Sequence, residues 1–340
     1  MIIDLRSDTV TKPCSNMLQA MIEAKVGDDV FGEDESIVEL QNYTANLFGK
    51  EAALFCPSGT MTNQIAIKVH TQPGNELLCD VNAHIYNYEG GGISFNSGVQ
   101  AKLLNGIEGK LNTTLIEENI NGDFDWLSKT NLVCLENTVN RAGGSIYTLN
   151  EIKPIAKLCK EKKLKLHLDG ARLFNALTET NESTKEVGNN FDSISICLSK
   201  GLGAPVGSLL IGDKNFIYNA KRIRKVFGGG MRQAGFLAAA GLFALKNNVK
   251  RLVDDHKKAK ELEVCLLNQN YVSQVLKVYT NIVIFKLNPS VITGDDFELK
   301  LAKHNIKISA FGKNTIRMVT HLDYTNQMHE KVLSVLNNSI

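Results

Sequence analysis

The sequence predicts an α/β protein, with a large domain built on a mostly parallel sheet and a smaller α+β domain at the carboxyl end. The first observation is that short apolar runs alternate with helical patterns between residues 52 and 213. The second is that several of these runs are almost continuously apolar, which is typical of strands buried on both faces of a parallel sheet. The third is a change in the residue pattern after residue 250, where charged helical stretches alternate with short predicted strands.

Six strands are predicted in the large domain: Ala52–Cys56, Glu76–Asp80, Leu132–Glu136, Leu164–Leu168, Ser193–Leu198 and Val206–Ile211. Between two of them, Thr148–Lys163 is predicted as a helix, because apolar residues recur every three or four positions from Ile152 to Cys159. Alternating strands and helices favour a layered sheet with helices on its faces.

The smaller domain is predicted to contain a helix, a strand, a helix, a strand and a final helix. The first four of these elements are Asp254–Leu267, Asn281–Lys286, a helix near Asp295–His304 and a strand near Asn314–Val319. We therefore divide the chain into residues 1–250, an N-terminal segment with the large domain, and residues 251–340. The first 45 residues contain no clear strand, so we expect them to wrap the large domain or a partner subunit.

Charge and composition exclude several classes of protein. The 38 basic and 36 acidic residues leave a formal net charge of +2, so no nucleic-acid partner is expected. The longest strongly apolar run, Ala234–Leu245, is shorter than the roughly 20 residues that span a membrane. The first residues carry charges where a signal peptide needs an apolar region. The seven cysteines are widely spaced without a CxxC pair, which favours free thiols in the cytoplasm.

The most informative stretch, residues 193–212, places Lys200 between an apolar strand and a glycine-rich turn. An amine beside small residues at the end of a buried strand has the chemistry to form a Schiff base with an aldehyde. The alternative is a solvated lysine at a strand end. Gly201 and Gly203 do not make a dinucleotide-binding loop, because the third glycine is missing and a strand follows instead of a helix.

A second stretch, residues 164–174, places Asp169 at the carboxyl end of another buried strand, where open α/β sheets bind ligands. A carboxylate in this place can keep a pyridine nitrogen protonated. Arg172 follows three residues later and is a candidate for binding a cofactor oxygen or a substrate carboxylate. The alternative is an ordinary surface ion pair between the two residues.

In a third stretch, residues 53–69, a strand passes through Ser58, Gly59 and Thr60 into an amphipathic helix. Free backbone N–H groups and hydroxyls at a helix start make a natural phosphate site. No lysine follows the glycine, so a nucleoside triphosphate is not expected. The alternative is that Ser58 or Thr60 only caps the helix.

His84 follows another predicted strand and neighbours Tyr86, Tyr88 and three glycines. A histidine here could lie against an aromatic cofactor or transfer protons, or it could pack as an ordinary hydrogen-bonded side chain. His167 lies within a predicted strand, so we assign it a structural role. A phosphate site, a pyridine-pairing carboxylate and a strand-end lysine therefore occur in order along one domain. Together they predict pyridoxal 5′-phosphate (PLP) as the cofactor, and they disfavour a plain nucleotide-binding protein.

Nearly the whole chain resembles the low-specificity L-threonine aldolases, a family of fold-type-I PLP enzymes related to the aspartate aminotransferases. The matching motifs are DLRSDT (4–9), DDVFGED (28–34), CPSGTMTNQIA (56–66), AHIYNYEGGGIS (83–94), LENTVNRAGG (135–144), HLDGARLFNA (167–176), CLSKGLGAPVGS (197–208), GGGMRQAG (228–235) and RMVTHLD (317–323). The resemblance implies cleavage of L-threonine, L-allo-threonine and related β-hydroxy amino acids to glycine and an aldehyde.

The resemblance also implies a role for each matching residue. Lys200 matches the lysine that holds the cofactor covalently, Asp169 the partner of its pyridine nitrogen, and His84 the histidine that stacks on its ring. Gly59 and Thr60 match the phosphate-binding loop, while Ser7, Arg172 and Arg317 match residues that hold the substrate carboxylate. Lys225 matches a lysine that reaches the cofactor phosphate of a neighbouring subunit, so a homo-oligomer, a dimer of dimers, is implied. His84 is our candidate for the catalytic base, and no metal is expected.

Three positions depart from the family pattern: Phe31, Trp126 and Val139. A histidine that lies near the substrate in the family is also missing, since none occurs between His84 and His167. These changes concern the choice between threo and erythro substrates and leave the PLP scaffold untouched. A β-eliminating lyase, a serine hydroxymethyltransferase and a non-catalytic PLP-fold protein remain as alternatives.

Overall fold

A computed structural model describes residues 1–338 and 340. The part of the chain around the large sheet contains eight strands and nine helices. They are β1 (Ile3–Asp4), α1 (Ser15–Ile22), α2 (Glu35–Phe48), β2 (Ala52–Cys56), α3 (Gly59–His70), β3 (Glu76–Asp80), α4 (His84–Asn87), α5 (Gly92–Ser97), β4 (Gln100–Leu104), α6 (Thr113–Glu117), β5 (Thr130–Glu136), α7 (Leu149–Glu161), β6 (Lys165–Gly170), α8 (Leu173–Thr180), α9 (Thr184–Gly188), β7 (Ser193–Cys197) and β8 (Ser208–Gly212).

The remaining elements continue to the carboxyl end. They are α10 (Lys214–Val226), α11 (Gly235–Asn247), α12 (Leu252–Leu267), β9 (Val272–Val275), β10 (Ile282–Leu287), α13 (Gly294–Lys303), β11 (Ile306–Lys307), β12 (Ser309–Gly312), β13 (Thr315–Val319) and α14 (Asn326–Asn338). No helix of the described residues is long and apolar enough to cross a membrane.

The large sheet has seven strands in the order β2-β8-β7-β6-β5-β3-β4. β3 to β7 pair in parallel, and β8 is antiparallel to both of its neighbours, β2 and β7. β2 therefore points in the same direction as β3 to β7. As a result, the carboxyl ends of six strands lie along one edge of the sheet, which is where ligands bind in sheets of this kind.

The six predicted strands of the large domain all form, and two of them, Ala52–Cys56 and Glu76–Asp80, have the predicted bounds. The last of the six begins two residues late, at Ser208, because Gly207 has a φ of +115°, outside the strand conformation. The sequence analysis missed β4. This edge strand is mostly half-buried and carries a lysine and a glutamine, so it shows no apolar run.

A four-stranded antiparallel sheet, in the order β12-β13-β10-β9, carries α12, α13 and α14. The prediction found its two central strands, β10 and β13, and its helices, but missed the short, partly exposed edge strands β9 and β12. A third, two-stranded sheet pairs β1 with β11 in parallel. We expected no clear strand in the first 45 residues, and this two-residue strand corrects that expectation.

Apolar side chains form two main cores. The larger core lies around the seven-stranded sheet and includes residues of α1, α2, α7 and α11. The second core joins α12, α13, α14 and the small sheet, and it includes Ile3 and Leu5 from the start of the chain. The first residues thus pack in the second core, while α1 and α2 pack on the large domain against α11. The division at residues 250 and 251 stays a prediction.

Local sequence explains where the main helices begin and end. Asp34 caps α2 by accepting the N–H of Ile37, and Gly49 ends this helix in the left-handed conformation. Thr148 and Glu151 form a capping box at the start of α7, which has nearly the predicted bounds. Asp213 accepts the N–H of Phe216 and so caps α10.

Candidate active site

Four candidate segments lie at the carboxyl ends of strands that end at the same edge of the large sheet. Residues 58–60 follow β2, His84 follows β3, Asp169 and Arg172 lie at the end of β6, and Lys200 follows β7. Because these strands point the same way, their loops meet although up to 142 residues separate them in sequence (200 − 58).

A cavity of about 530 Å³ opens at this edge. Five predicted site residues line it, namely Ser7, His84, Arg172, Lys200 and Arg317. A larger hollow of about 820 Å³ lies beside α7, but six of its fifteen lining residues are lysines and none is a predicted site residue. We therefore place the candidate site in the smaller cavity.

Arg172 is held by a buried ion pair with Asp8. Its Nε and Nη2 donate to the two carboxylate oxygens at 2.8 and 2.6 Å, and Asn281 donates to the same carboxylate at 3.2 Å. Burial opposes both charges, but their attraction prevails: it raises the pKa of Arg172 and lowers the pKa of Asp8. This geometry leaves Nη1 as the part of the guanidinium that makes no hydrogen bond within the described chain.

Arg317 lies on β13 and has no carboxylate partner among the described residues. Its Nη1 donates to Asn140 Oδ1 and its Nη2 to the carbonyl of Arg6, both at 3.0 Å, while its buried Nε has no acceptor. Burial and the neighbouring charge of Arg172 lower its pKa to about 10. Its guanidinium lies 4.8 Å from the centre of the Phe311 ring. The positive charge of Arg317 is therefore not balanced by a carboxylate of the described residues, and an anion bound in the cavity would balance it.

His84 is paired with a buried carboxylate. Its Nδ1 lies 3.1 Å from Oε1 of Glu89, and its backbone N–H donates to Glu136 Oε2 at 2.7 Å. Burial favours the neutral imidazole, but the hydrogen bond to Glu89 and the charges of Asp169 and Glu136 outweigh it and raise the pKa of His84. Because Nδ1 is engaged by Glu89, the other ring nitrogen, Nε2, remains available to the cavity.

Asp169 is buried, and both of its oxygens accept hydrogen bonds. Asn63 Nδ2 donates to Oδ2 at 2.9 Å, and the N–H of Ala171 donates to Oδ1 at 3.2 Å. Ligand atoms of His84, Glu89 and Asp169 all lie within 4.8 Å of one another, a spacing that a metal ion could also use. The expectation of no metal stays a prediction.

Ser58 caps α3 by accepting the N–H of Met61 at 3.2 Å, so the capping alternative from the sequence is observed. Ser58 and Thr60 are nevertheless exposed at the helix start, where free N–H groups also point to solvent. Gly59 is needed there for close packing, since a Cβ atom would come within 2.6 Å of Cys197 Sγ.

Lys200 is partly exposed in a turn after β7. Its carbonyl accepts hydrogen bonds from Gly203 N–H at 2.8 Å and from Thr11 Oγ1 at 3.2 Å. Gly203 has a φ of +78°, which other residues rarely adopt, so the glycine is required for this turn. The side chain is thereby presented to the cavity from a fixed backbone.

Lys225 lies outside this cavity. It is exposed near the end of α10 and lines a separate hollow with Val30, Tyr218 and Gly230. Within one chain, the structure does not bring Lys225 together with the other predicted site residues. His167 is fully buried in β6, as expected for a residue without direct contact with a ligand.

Sequence analysis missed four residues that shape the site: Asp8, Asn63, Glu89 and Glu136. Glu136 ends β5 as Asp169 nearly ends β6, so its position after an apolar strand was a signal that could have found it. Burial and the nearby Asp169 charge raise the pKa of Glu136 to about 7. Asp8 and Asn63 gave no such signal, because their partners Arg172 and Asp169 lie more than 100 residues away along the chain.

Comparisons with known proteins agree with one another. The model of the beta-eliminating lyase family matches residues 4–289. A low-specificity L-threonine aldolase of Escherichia coli O157:H7 is 40% identical over 97% of both chains. One from Arabidopsis thaliana is 40% identical over 99% of this chain and 96% of the relative. The chain belongs to the threonine aldolase family. A solved threonine aldolase from Leishmania major shares the fold, with a TM-score of 0.85 over 98% of both chains and 21% identity.

Like other members of the threonine aldolase family, this protein is a fold-type-I lyase with PLP as its cofactor. The residues present fit that group. A lysine, a buried carboxylate and a histidine converge at one strand edge, beside the start of α3, whose free N–H groups can bind a phosphate. Arg317 adds a second cation beside Arg172 to the lining of the same cavity.

The three departures from the threonine aldolase pattern lie in different environments. Phe31 is 74% exposed, and Trp126 is equally exposed and stacks on Phe124. Val139 is buried against Gly109. None of the three lines the 530 Å³ cavity within this chain.

We predict that Glu89→Gln lowers the pKa of His84, because the substitution removes the carboxylate that favours the imidazolium. NMR titration of the histidine ring in the cofactor-free protein measures this value. Glu298→Gln is the control, since this exposed glutamate on α13 should leave the titration unchanged. An unchanged His84 titration in Glu89→Gln would show that Glu89 does not set its charge.

Proposed function

We propose that this enzyme cleaves L-threonine and L-allo-threonine to glycine and acetaldehyde, and related β-hydroxy amino acids to glycine and the matching aldehyde. The observation that carries the proposal is the meeting of Lys200, a histidine–carboxylate pair and two arginines in one cavity. The names of the full-length relatives support the substrate. The proposed substrate is a small amino acid, and we propose no nucleic-acid partner.

The residues that would hold PLP are arranged along the strand edge. Lys200 would bind it covalently, Asp169 would pair with its pyridine nitrogen, and His84 would cover one face of its ring. Ser58, Gly59 and Thr60 would receive its phosphate at the start of α3. When bound, PLP supplies an electron sink for the electron pair left on the substrate Cα.

Arg317, Arg172 and Ser7 would hold the substrate carboxylate. Arg317 lines the cavity without a carboxylate partner among the described residues, and Arg172 offers Nη1, since its other two nitrogens are engaged by Asp8. A carboxylate placed between them would relieve the repulsion that lowers the pKa of Arg317. Fixing the carboxylate also fixes the orientation of the substrate Cα–Cβ bond.

The cleavage requires a base for the β-hydroxyl proton. We propose His84 Nε2, acting directly or through a water molecule, with Nδ1–H donated to Glu89. The proton leaves the hydroxyl, the Cα–Cβ bond breaks, and Cβ becomes the aldehyde carbon. A proton then returned to Cα completes glycine.

The first experiment measures aldehyde and glycine released by the PLP-loaded protein from L-threonine and L-allo-threonine. We expect the two products in equal amounts, and Lys200→Ala should abolish turnover. Lys257→Ala is the control, because this exposed lysine on α12 lies outside the site. The family model favours β-elimination as a second candidate. Release of ammonia and a keto acid instead of aldehyde would establish that reaction, and full activity of Lys200→Ala would refute both.

For the base, we expect His84→Asn to lower kcat by about 10²- to 10⁴-fold, the usual contribution of general base catalysis. Asparagine keeps an N–H donor toward Glu89 but has no basic nitrogen. Because the neutral imidazole is the active form and its pKa is raised, wild-type activity should increase as the pH rises through that pKa. Full activity of His84→Asn on L-threonine would remove His84 from this role.

We also propose a homo-oligomer, a dimer of dimers, in which Lys225 reaches the cofactor phosphate of a partner subunit. Lys225 lies outside the cavity of its own chain, and its sequence neighbour Val226 is 78% exposed. Val30 lines the same hollow as Lys225, and the next residue, Phe31, is 74% exposed. Exposed apolar groups next to a functional cation support burial of this surface by a second copy. Seven free cysteines, six of them buried, support a location in the cytoplasm.

We predict that Lys225→Ala weakens PLP binding by roughly tenfold, as expected for a lost charged hydrogen bond, without changing the oligomer. Titration of the cofactor absorbance gives the affinity, and light scattering gives the mass. Lys214→Ala, at the far end of the same helix, is the matched control. Equal PLP affinities of the two variants would contradict the role of Lys225.

A further inference from the structure

A continuous chain of hydrogen bonds lies behind Asp169, on the side away from the cavity. Asn63 on α3 contacts His167 on β6, with Asn63 Oδ1 and His167 Nε2 at 3.1 Å. His167 Nδ1 lies 2.8 Å from Ser193 Oγ on β7, and the same oxygen lies 2.8 Å from His70 Nε2 at the end of α3. None of these residues lines the 530 Å³ cavity.

The two carboxylates at one end of this chain determine the orientation of Asn63. Its amide faces Asp169 Oδ2 at 2.9 Å and Glu89 Oε1 at 2.8 Å, and ionised carboxylates only accept hydrogen bonds. The NH₂ group must therefore face them, with one hydrogen for each. The amide oxygen is then turned toward His167, and it needs a donor there.

This orientation determines the proton positions of the remaining groups. His167 must carry a proton on Nε2, so in its neutral form Nδ1 is an acceptor. Ser193 then donates its hydroxyl proton to His167 Nδ1 and accepts from His70 Nε2–H. The rings keep this arrangement, because His167 is fully buried and His70 stacks on Phe216 with ring centres 4.6 Å apart.

Both histidines are neutral at physiological pH. Burial lowers the pKa of His167 to about 4, and burial together with the neighbouring His167 lowers the pKa of His70 to about 3. Neutral rings allow only the proton order derived above. A protonated His167 would instead have to donate from Nδ1 to Ser193.

We infer that Asn63 and His167 are positioning residues: neutral His167, protonated on Nε2, holds the Asn63 amide so that one NH₂ group fixes both Asp169 and Glu89. The Asn63 side chain thereby fixes the positions of Asp169 and of Glu89, the carboxylate that pairs with His84. The inference rests on the proposed function only in so far as Asp169 holds the cofactor. The proton order itself follows from the hydrogen bonds of neutral His167 and His70 and does not depend on the reaction.

The direct test is NMR of the full-length protein labelled with ¹⁵N-histidine, with and without PLP. We expect His167 as a neutral ring with its proton on Nε2 in both forms, and the missing resonance in a His167→Gln variant assigns it. A charged ring, or a proton on Nδ1, would overturn the inference. This result does not depend on which substrate the enzyme cleaves.

Two variants test the positioning role. His167→Gln keeps an N–H donor near the position of Nε2, while His167→Asn keeps one only near Nδ1. We expect His167→Gln to bind PLP within about threefold of the wild type and His167→Asn to bind it at least roughly tenfold more weakly. Equal PLP affinity in both variants would refute the role. If the two variants differ in PLP affinity as expected but the PLP-loaded wild type releases no aldehyde, the positioning role stands and the proposed reaction is refuted.

Discussion

The buried ion pair between Asp8 and Arg172 holds the active site together. Asp8 comes from the N-terminal segment, Arg172 follows β6 of the large sheet, and Asn281, just before β10 of the small sheet, donates to the same carboxylate. Loss of one partner of such a pair leaves an uncompensated buried charge, which typically costs about 3–5 kcal/mol. The cavity therefore lies where these three distant parts of the chain are joined. Arg317 reaches the cavity from the small sheet and donates there to Asn140 and to the carbonyl of Arg6.

Buried carboxylates organise the rest of the strand edge in the same way. Glu136 accepts the backbone N–H groups of His84 and Asn140, so one side chain fixes two segments that border the cavity. Asn140 in turn accepts from Arg317. Burial and the charge of Asp169 raise the pKa of Glu136 to about 7, yet its two N–H donors keep it in place in either form. The candidate site residues at this edge are held by contacts to the backbone as well as by contacts between side chains.

The sequence was sufficient to predict the central strands and the candidate site residues that follow them. Strand ends are local features, and parallel strands bring the residues after them together, so Lys200, Asp169 and His84 could be placed at one edge. Edge strands such as β4 and β12 escaped detection, since exposure removes the apolar run that marks a strand. Asp8 and Asn63 could not be found because each acts through a partner more than 100 residues away, a relation that no local pattern encodes.

In the proposed reaction, the role of the base falls to His84 alone among the histidines. Among the described residues, His84 is the only histidine that lines the cavity. Glu89 engages Nδ1, and Asn63 holds Glu89, so the ring presents the same nitrogen, Nε2, to every substrate. Two substrates that differ only at Cβ place their hydroxyl groups on different sides of the Cα–Cβ axis. In the proposed reaction there is one fixed basic nitrogen, so discrimination between the two substrates depends on whether each hydroxyl reaches Nε2 directly or through water. It therefore depends on where Arg172 and Arg317 would hold the substrate carboxylate.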